Sequence, residues 1–203
     1  MGAMPDPTLR IAIVGAGYVG CYLGGLLAQN PAVAVTLVGR PALAYAVESV
    51  GLTVGLAGGE GRTIPGERFT LATDPAGTGD ADVVLVTVKA KDTATVGAAL
   101  AATLPTRVPV LCLQNGLNGS ARLAAALPEH RVLAGMVGFN VVHERPASFW
   151  QTTSGDVMVE DDPALTPLID AARGARLALQ PRTDMPDVQA AKLLLNLNNA
   201  VNA

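Results

Sequence analysis

Aromatic side chains are scarce in this chain: they make up 3% of its 203 residues, although half of all residues are hydrophobic. The interior must therefore be built from Ala, Val and Leu, and the chain is long enough to bury a sizeable core of them. Charge is sparse as well, at 15%, with a net charge of −3. That balance gives no electrostatic attraction for nucleic acid or for an anionic membrane surface. Cysteine occurs twice, as Cys21 and Cys112, each inside an apolar run. The pair reads as buried, reduced thiols. No Cys/His cluster has the spacing of a metal site. Internal repeats, low-complexity tracts and charge runs are absent too. One uncharged stretch, Ile11 to Ala28, imitates an export signal, but its five glycines are unlike the uniform Leu-rich core of a leader. A cytoplasmic protein without nucleic-acid or membrane partners fits this composition.

What the chain does have is alternation. "LRIAIVG", "VAVTLVGR", "ADVVLVTVK" and "VPVLCLQNG" are short runs, apolar on both faces, that read as buried strands. Helical segments follow them: "YVGCYLGGLLAQN", stopping at Asn30-Pro31, then "PALAYAVESV", Thr93 to Leu104, and Ser120 to Leu127. Residues 51–73 predict short strands and turns. Residues 131–144 predict one strand, 147–160 a hairpin turning at Ser154-Gly155, and 163–179 a helix. This order predicts an α/β fold: a doubly wound, mostly parallel sheet covered on both faces. Prolines and charges in "QPRTDMPD" then predict a boundary, with residues 1–182 as one domain and 183–203 as the first helix of another.

"IVGAGYVG" places Gly15, Gly17 and Gly20 in G-x-G-x-x-G spacing between a strand and a helix. Gly15 permits the tight turn, Gly17 leaves room for a pyrophosphate, and Gly20 lets the helix pack close to the strand. The phosphates would meet free N–H groups at the helix N-terminus. The second strand ends in Gly39-Arg40, where an NAD site would carry an acid. An arginine there can pair with a 2′-phosphate and stack on adenine, so NADP(H) is favoured over NAD.

Ligands of open α/β sheets bind beyond the carboxyl ends of the strands. Two segments fall there: "VTVKAKDT", with Lys89, and "LQNGLN", with Gln114 and Asn115. Alone, each has a bland reading as a surface charge or a turn. Together they predict the rim of a nicotinamide site. His143, beside Glu144 and Arg145, reads as a structural or solvated histidine rather than a base. On the last helix Gln189, Lys192, Asn196 and Asn199 form one stripe, with Leu193, Leu194, Leu197 and Val201 off it. Asn is a mediocre helix former, so the stripe suggests hydrogen bonding to something specific, and its lysine could donate a proton.

These motifs together resemble the ketopantoate reductase (2-dehydropantoate 2-reductase) family. The likeness rests on "VGAGYVG", "VLVTVKAKDT", "LQNGLNG", "GFNVVHE", "SGDVMVE" and "AKLLLNLNNAVNA", and runs through nearly the whole chain. It implies a Rossmann-type domain and an NADPH-dependent reduction of 2-dehydropantoate to (R)-pantoate, on the route to pantothenate and coenzyme A. It implies that Gly15, Ala16, Gly17, Tyr18, Val19, Gly20, Arg40, Lys89, Asn115 and Val141 bind the cofactor, with Arg40 on the 2′-phosphate. Lys192 would be the catalytic proton donor, and Lys192, Asn196, Asn199 and Asn115 would hold the 2-oxo acid. Family members continue into an all-helical domain that supplies a serine, a glutamate and often a homodimer interface; residues 183–203 would be only its first helix. Many members carry a second asparagine four residues after the first, where this chain has Ala200. Another 2-oxo acid, or a non-catalytic NADP(H)-binding module, are the other readings.

Overall fold

The computed structural model describes residues 8–201, with side chains as far as Leu194. In chain order the elements are β1 (Leu9–Val14), α1 (Tyr18–Leu27), β2 (Val33–Val38), α2 (Pro41–Val50), β3 (Leu52–Leu56), β4 (Arg62–Ile64), β5 (Phe69–Ala72), β6 (Val83–Val86), α3 (Thr93–Thr103), β7 (Val110–Cys112), α4 (Gly119–Ala126), β8 (Val132–Val137), β9 (Val141–Arg145), β10 (Ser148–Gln151), β11 (Val157–Glu160), α5 (Thr166–Gly174), β12 (Leu179–Arg182) and α6 (Met185–Val201).

An eight-stranded sheet runs in the order β12-β11-β8-β7-β6-β1-β2-β5. Its neighbours are parallel except β8 and β11, which pair antiparallel. The strands are apolar on both faces because both are covered. Along β1, Ile11 and Ile13 point into a core shared with α1 and α5, while Ala12 and Val14 point into a second core shared with α3 and α4. Fully burying a side chain of this size contributes about 1.5–3 kcal/mol. The last turn of α1 is capped from a distance. The Arg68 guanidinium donates to the carbonyls of Ala28 (3.0 Å), Asn30 (3.3 Å) and Val33 (3.5 Å).

Three local expectations differ from what is found. Residues 131–144 are not one strand but β8 and β9, in different sheets, broken at Gly138. The chain crosses itself there: the Gly138 N–H donates to the Asp156 carbonyl at 2.8 Å, and a Cβ on Gly138 would meet that oxygen at 2.6 Å. Residues 147–160 are not a hairpin. β10 lies in a second, four-stranded sheet, β4-β3-β10-β9, whereas β11 joins the main sheet. The real hairpin is β9–β10, whose turn puts Ala147 at φ 54°. The expected helix over 163–179 gives way to α5, which ends at Gly174, and to β12, an element not expected, at residues 179–182. β12 holds Pro181 and is an edge strand, the position in a sheet that tolerates proline.

Candidate functional site

The strand order reverses between β1 and β6, so the carboxyl ends of these neighbours open the crevice where α/β sheets bind ligands. The turn after β1 has Gly15 at φ 102°, a left-handed conformation that glycine adopts without strain. Thr87, just after β6, ties the two ends together: its N–H donates to the Val14 carbonyl at 2.9 Å and its hydroxyl to the Gly15 carbonyl at 2.7 Å.

Two of the three motif glycines are demanded by the chain's own packing. A Cβ on Gly15 would lie 2.6 Å from the Val88 nitrogen, and one on Gly20 would lie 2.6 Å from the Gly15 carbonyl oxygen. Gly17 is different. A Cβ there would meet nothing nearer than the Gly15 oxygen at 3.9 Å. Nothing among the described residues explains glycine at this position; the space in front of it is open to them. α1 starts just behind that space, with no side-chain cap and no acidic residue in its first turn. Its orphan N–H groups and dipole are of the kind that favour negative charge.

β2 ends against this loop: a Cβ on Gly39 would be 2.9 Å from the Ala16 Cβ. Arg40 follows as the first cap residue of α2, exposed, and its guanidinium has no hydrogen-bond or ion-pair partner among the described residues. Lys89, one residue after Val88, is exposed and equally unpaired. Asn115 is exposed in the turn after β7, next to Gly116 at φ 96°. Gly15–Gly20, Arg40, Lys89 and Asn115 thus emerge at the carboxyl ends of four adjacent strands, β2-β1-β6-β7.

Gln114, expected beside Asn115 on the rim, turns inward instead and is 5% exposed. Its carboxamide bonds to the Val88 carbonyl and to Thr93. His143 is not simply solvated. Its ring stacks on Tyr18 of the glycine loop (centroids 5.6 Å apart, planes at 20°) and lies 5.2 Å from Phe149. No local pattern announces this contact, because it joins the hairpin of the small sheet to the start of α1. Val141 is half-buried in β9 and packs on the first core.

Lys192 is half-buried on α6, the helix that packs on β8 and β11. One turn earlier, Gln189 shares an open groove of about 590 Å³ with Leu117 and Ser120, which follow the Asn115 turn. The groove floor is Ala134 and Glu160, and neither the glycine loop, Arg40, Lys89, Asn115 nor Lys192 lines it. It therefore adjoins the site rather than forming it. Asn196 and Asn199 carry side chains outside the described residues. Burial pushes the Cys21 thiol up to about 12 and raises that of Cys112, so neither is a ready nucleophile. Among the described residues no three His, Cys, Asp or Glu side chains group to hold a metal, and no helix is long and apolar enough to cross a membrane.

A sequence model of the family described as "Ketopantoate reductase PanE/ApbA" matches residues 11–163. The chain belongs to the ketopantoate reductase family. Among curated relatives, it is 34% identical over 152 residues to a 2-dehydropantoate 2-reductase of Halobacterium salinarum, covering 74% of this chain and 48% of that one. A 2-dehydropantoate 2-reductase of Caulobacter vibrioides is 30% identical over 194 residues, covering 95% and 63%. The chain thus spans between about half and two thirds of these relatives' length. The crystal structure of a ketopantoate reductase from Ralstonia eutropha superposes with a TM-score of 0.83 at 29% identity, covering 93% of this chain and 61% of that one. The corresponding values for a 2-dehydropantoate 2-reductase from Geobacter metallireducens are 0.80, 26%, 93% and 62%.

Proposed function

We propose that this chain is the NADPH-binding part of a reductase that converts 2-dehydropantoate to (R)-pantoate, a step toward pantothenate and coenzyme A. The observation that carries the cofactor reading is Gly17, a glycine with open space before it at the start of an uncapped helix, flanked by the unpaired Arg40. The N–H groups of α1 would hold the pyrophosphate, with Ala16, Tyr18 and Val19 walling the loop. Arg40 would take the 2′-phosphate, a charge-assisted pair that an acid at this position would forbid. Lys89, Asn115 and Val141 would line the nicotinamide end.

Bound NADPH supplies a hydride to a carbonyl carbon. The rest is the protein's work. As negative charge grows on the carbonyl oxygen, the Lys192 ammonium would stabilise it and then deliver its proton. Asn115, Asn196 and Asn199 would orient the 2-oxo acid. The relatives' names support this substrate. We further propose residues 1–182 as the cofactor domain and 183–203 as the first helix of the substrate domain, in a cytoplasmic homodimer.

Turnover is tested by NADPH oxidation at 340 nm with 2-dehydropantoate, and with a panel of other 2-oxo acids. The assay uses this chain and a chimera in which it is joined to the part of the Caulobacter relative that lies outside the matched region. Lys192→Ala should cost at least about 10²-fold in kcat, in keeping with loss of a general acid, while NADPH affinity stays nearly intact. Full activity in that variant would sink the assignment of Lys192. Tight NADPH binding without turnover of any 2-oxo acid would favour a non-catalytic binding module.

A further inference from the structure

Lys89 stands between two carbonyl groups that are both held by buried side chains, and the holder of one is the neighbour of Asn115. Gln114 and Thr93 are 5% and 2% exposed. Carbonyl oxygens only accept, which fixes the protons of the Gln114 amide; the Thr93 hydroxyl has two acceptors in reach, the Ala90 carbonyl at 2.9 Å and Gln114 Oε1 at 3.1 Å. The Val88 oxygen accepts from Gln114 Nε2 at 3.0 Å, so the amide's NH₂ faces the Lys89 loop. The second N–H donates to Thr93 Oγ1 at 2.8 Å. The Thr93 hydroxyl then donates onward, the Ala90 carbonyl being the nearer of its two acceptors. Behind the amide, the Cys112 thiol donates to Gln114 Oε1 at 3.7 Å, a sulfur contact from the end of β7. Gly119 completes the pocket: a Cβ there would come within 2.9 Å of Gln114 Oε1 and 3.1 Å of its Cβ. Every polar hydrogen has a named acceptor, and both neighbours of Lys89 are pinned.

We propose that Gln114 and Thr93 are positioning residues that set Lys89 at a fixed place relative to Asn115. The role rests on the reading of those two exposed side chains as the nicotinamide wall. β6 and β7 alone align only as far as Val86 and Cys112. Beyond them the two loops have no ladder, and the Gln114–Thr93 bridge replaces it. A glutamine satisfies the geometry because it offers two N–H groups on one side and an acceptor on the other. A buried apolar residue would leave the Val88 carbonyl orphaned, and a glutamate would face it with like charge. The bridge also explains why the exposed Lys89 and Asn115 belong to longer motifs: Thr93 and Gly119 within them serve the same bridge.

Thr93→Val removes the hydroxyl at nearly constant shape, and Thr93→Ser restores it. In the free protein, loss of the two buried hydrogen bonds of the Thr93 hydroxyl should speed amide exchange at least about tenfold in residues 88–92 and in residues 114–116 together, and Thr93→Ser should not. Faster exchange in one loop only overturns the bridge, whether or not cofactor binds. With NADPH, followed by its fluorescence, Thr93→Val should weaken binding about tenfold, but add nothing in a Lys89→Ala background. Equal loss in both backgrounds means the cluster serves only stability. Absence of NADPH binding by the unmutated chain sinks the proposed function instead, and leaves the exchange test standing.

Discussion

Replacing Gly17 by alanine separates what a ligand demands from what the fold demands. Gly17 has φ −91° and ψ −157°, open to any residue, and its Cβ would have 3.9 Å of clearance. Alanine restricts the unfolded chain, which stabilises by about 0.4–1 kcal/mol. It is also a poorer helix N-cap than glycine, which costs a similar amount. The free protein's Tm should therefore move by less than about 4 °C, since 1 kcal/mol corresponds to roughly 2–4 °C at this size. NADPH is another matter. At a hundred times Kd it should raise the Tm of the unmutated chain by about 5–10 °C, the equivalent of about 2.7 kcal/mol. In Gly17→Ala the methyl group would occupy the ground proposed for the pyrophosphate, and that rise should vanish. Gly20→Ala is the control. Its Cβ would press on the Gly15 carbonyl at 2.6 Å and on the Thr87 hydroxyl at 2.7 Å, so it should destabilise the free protein by about 1–3 kcal/mol. Thermal unfolding with and without NADPH reads all three proteins. An undiminished NADPH shift in Gly17→Ala would refute the argument.

Arg40→Asp should weaken NADPH far more than NADH in parallel fluorescence titrations; equal losses would mean that Arg40 does not read the phosphate. Arg68→Met keeps the apolar stem but takes the guanidinium from the Ala28 carbonyl just after α1, and should cost about 2 kcal/mol in urea unfolding. Cys21 should resist alkylation at pH 9 in the native protein. Its folded-state pKa is raised from 9.0 to about 12, so the unfolded chain loses this proton first as pH rises. The associated stability is whole below pH 9 and declines between about pH 9 and 12, with a slope near 1.4 kcal/mol per pH unit that Cys21→Val should abolish.

The central strands were legible because a doubly covered sheet writes itself as unbroken apolar runs such as "IAIV" and "VVLV". The glycine loop, Arg40, Lys89 and Asn115 were legible for the same reason: their place follows from being next after a recognisable strand. What escaped were pairings decided far along the chain. Nothing near Gly138 says that residue 156 crosses over it, so β8 and β9 read as one strand. Nothing near Ser154 says that β10 pairs with β3, about a hundred residues earlier, rather than with β11. Pro181 masked β12, because proline is a poor strand signal and only an edge strand is able to accept it. Gln114 was misjudged because an exposed turn residue and a buried brace look alike when adjacent; only the acceptors at Val88 and Thr93 tell them apart.

The crossing at Gly138 and Gly155 has one more consequence. The segment between them leaves the main sheet and returns to the point where it left, so residues 139–154 are a closed detour whose ends touch. Closing sixteen residues costs only about 2.5 kcal/mol beyond a constant, set once by the meeting of the two glycines. The detour carries His143 and Phe149 out to the ring of Tyr18. Exposed His143 is the detour's outer face, whereas Ala147 and Phe149 lie in the core shared with α1, so a change at His143 is felt first at the start of that helix without entering the core.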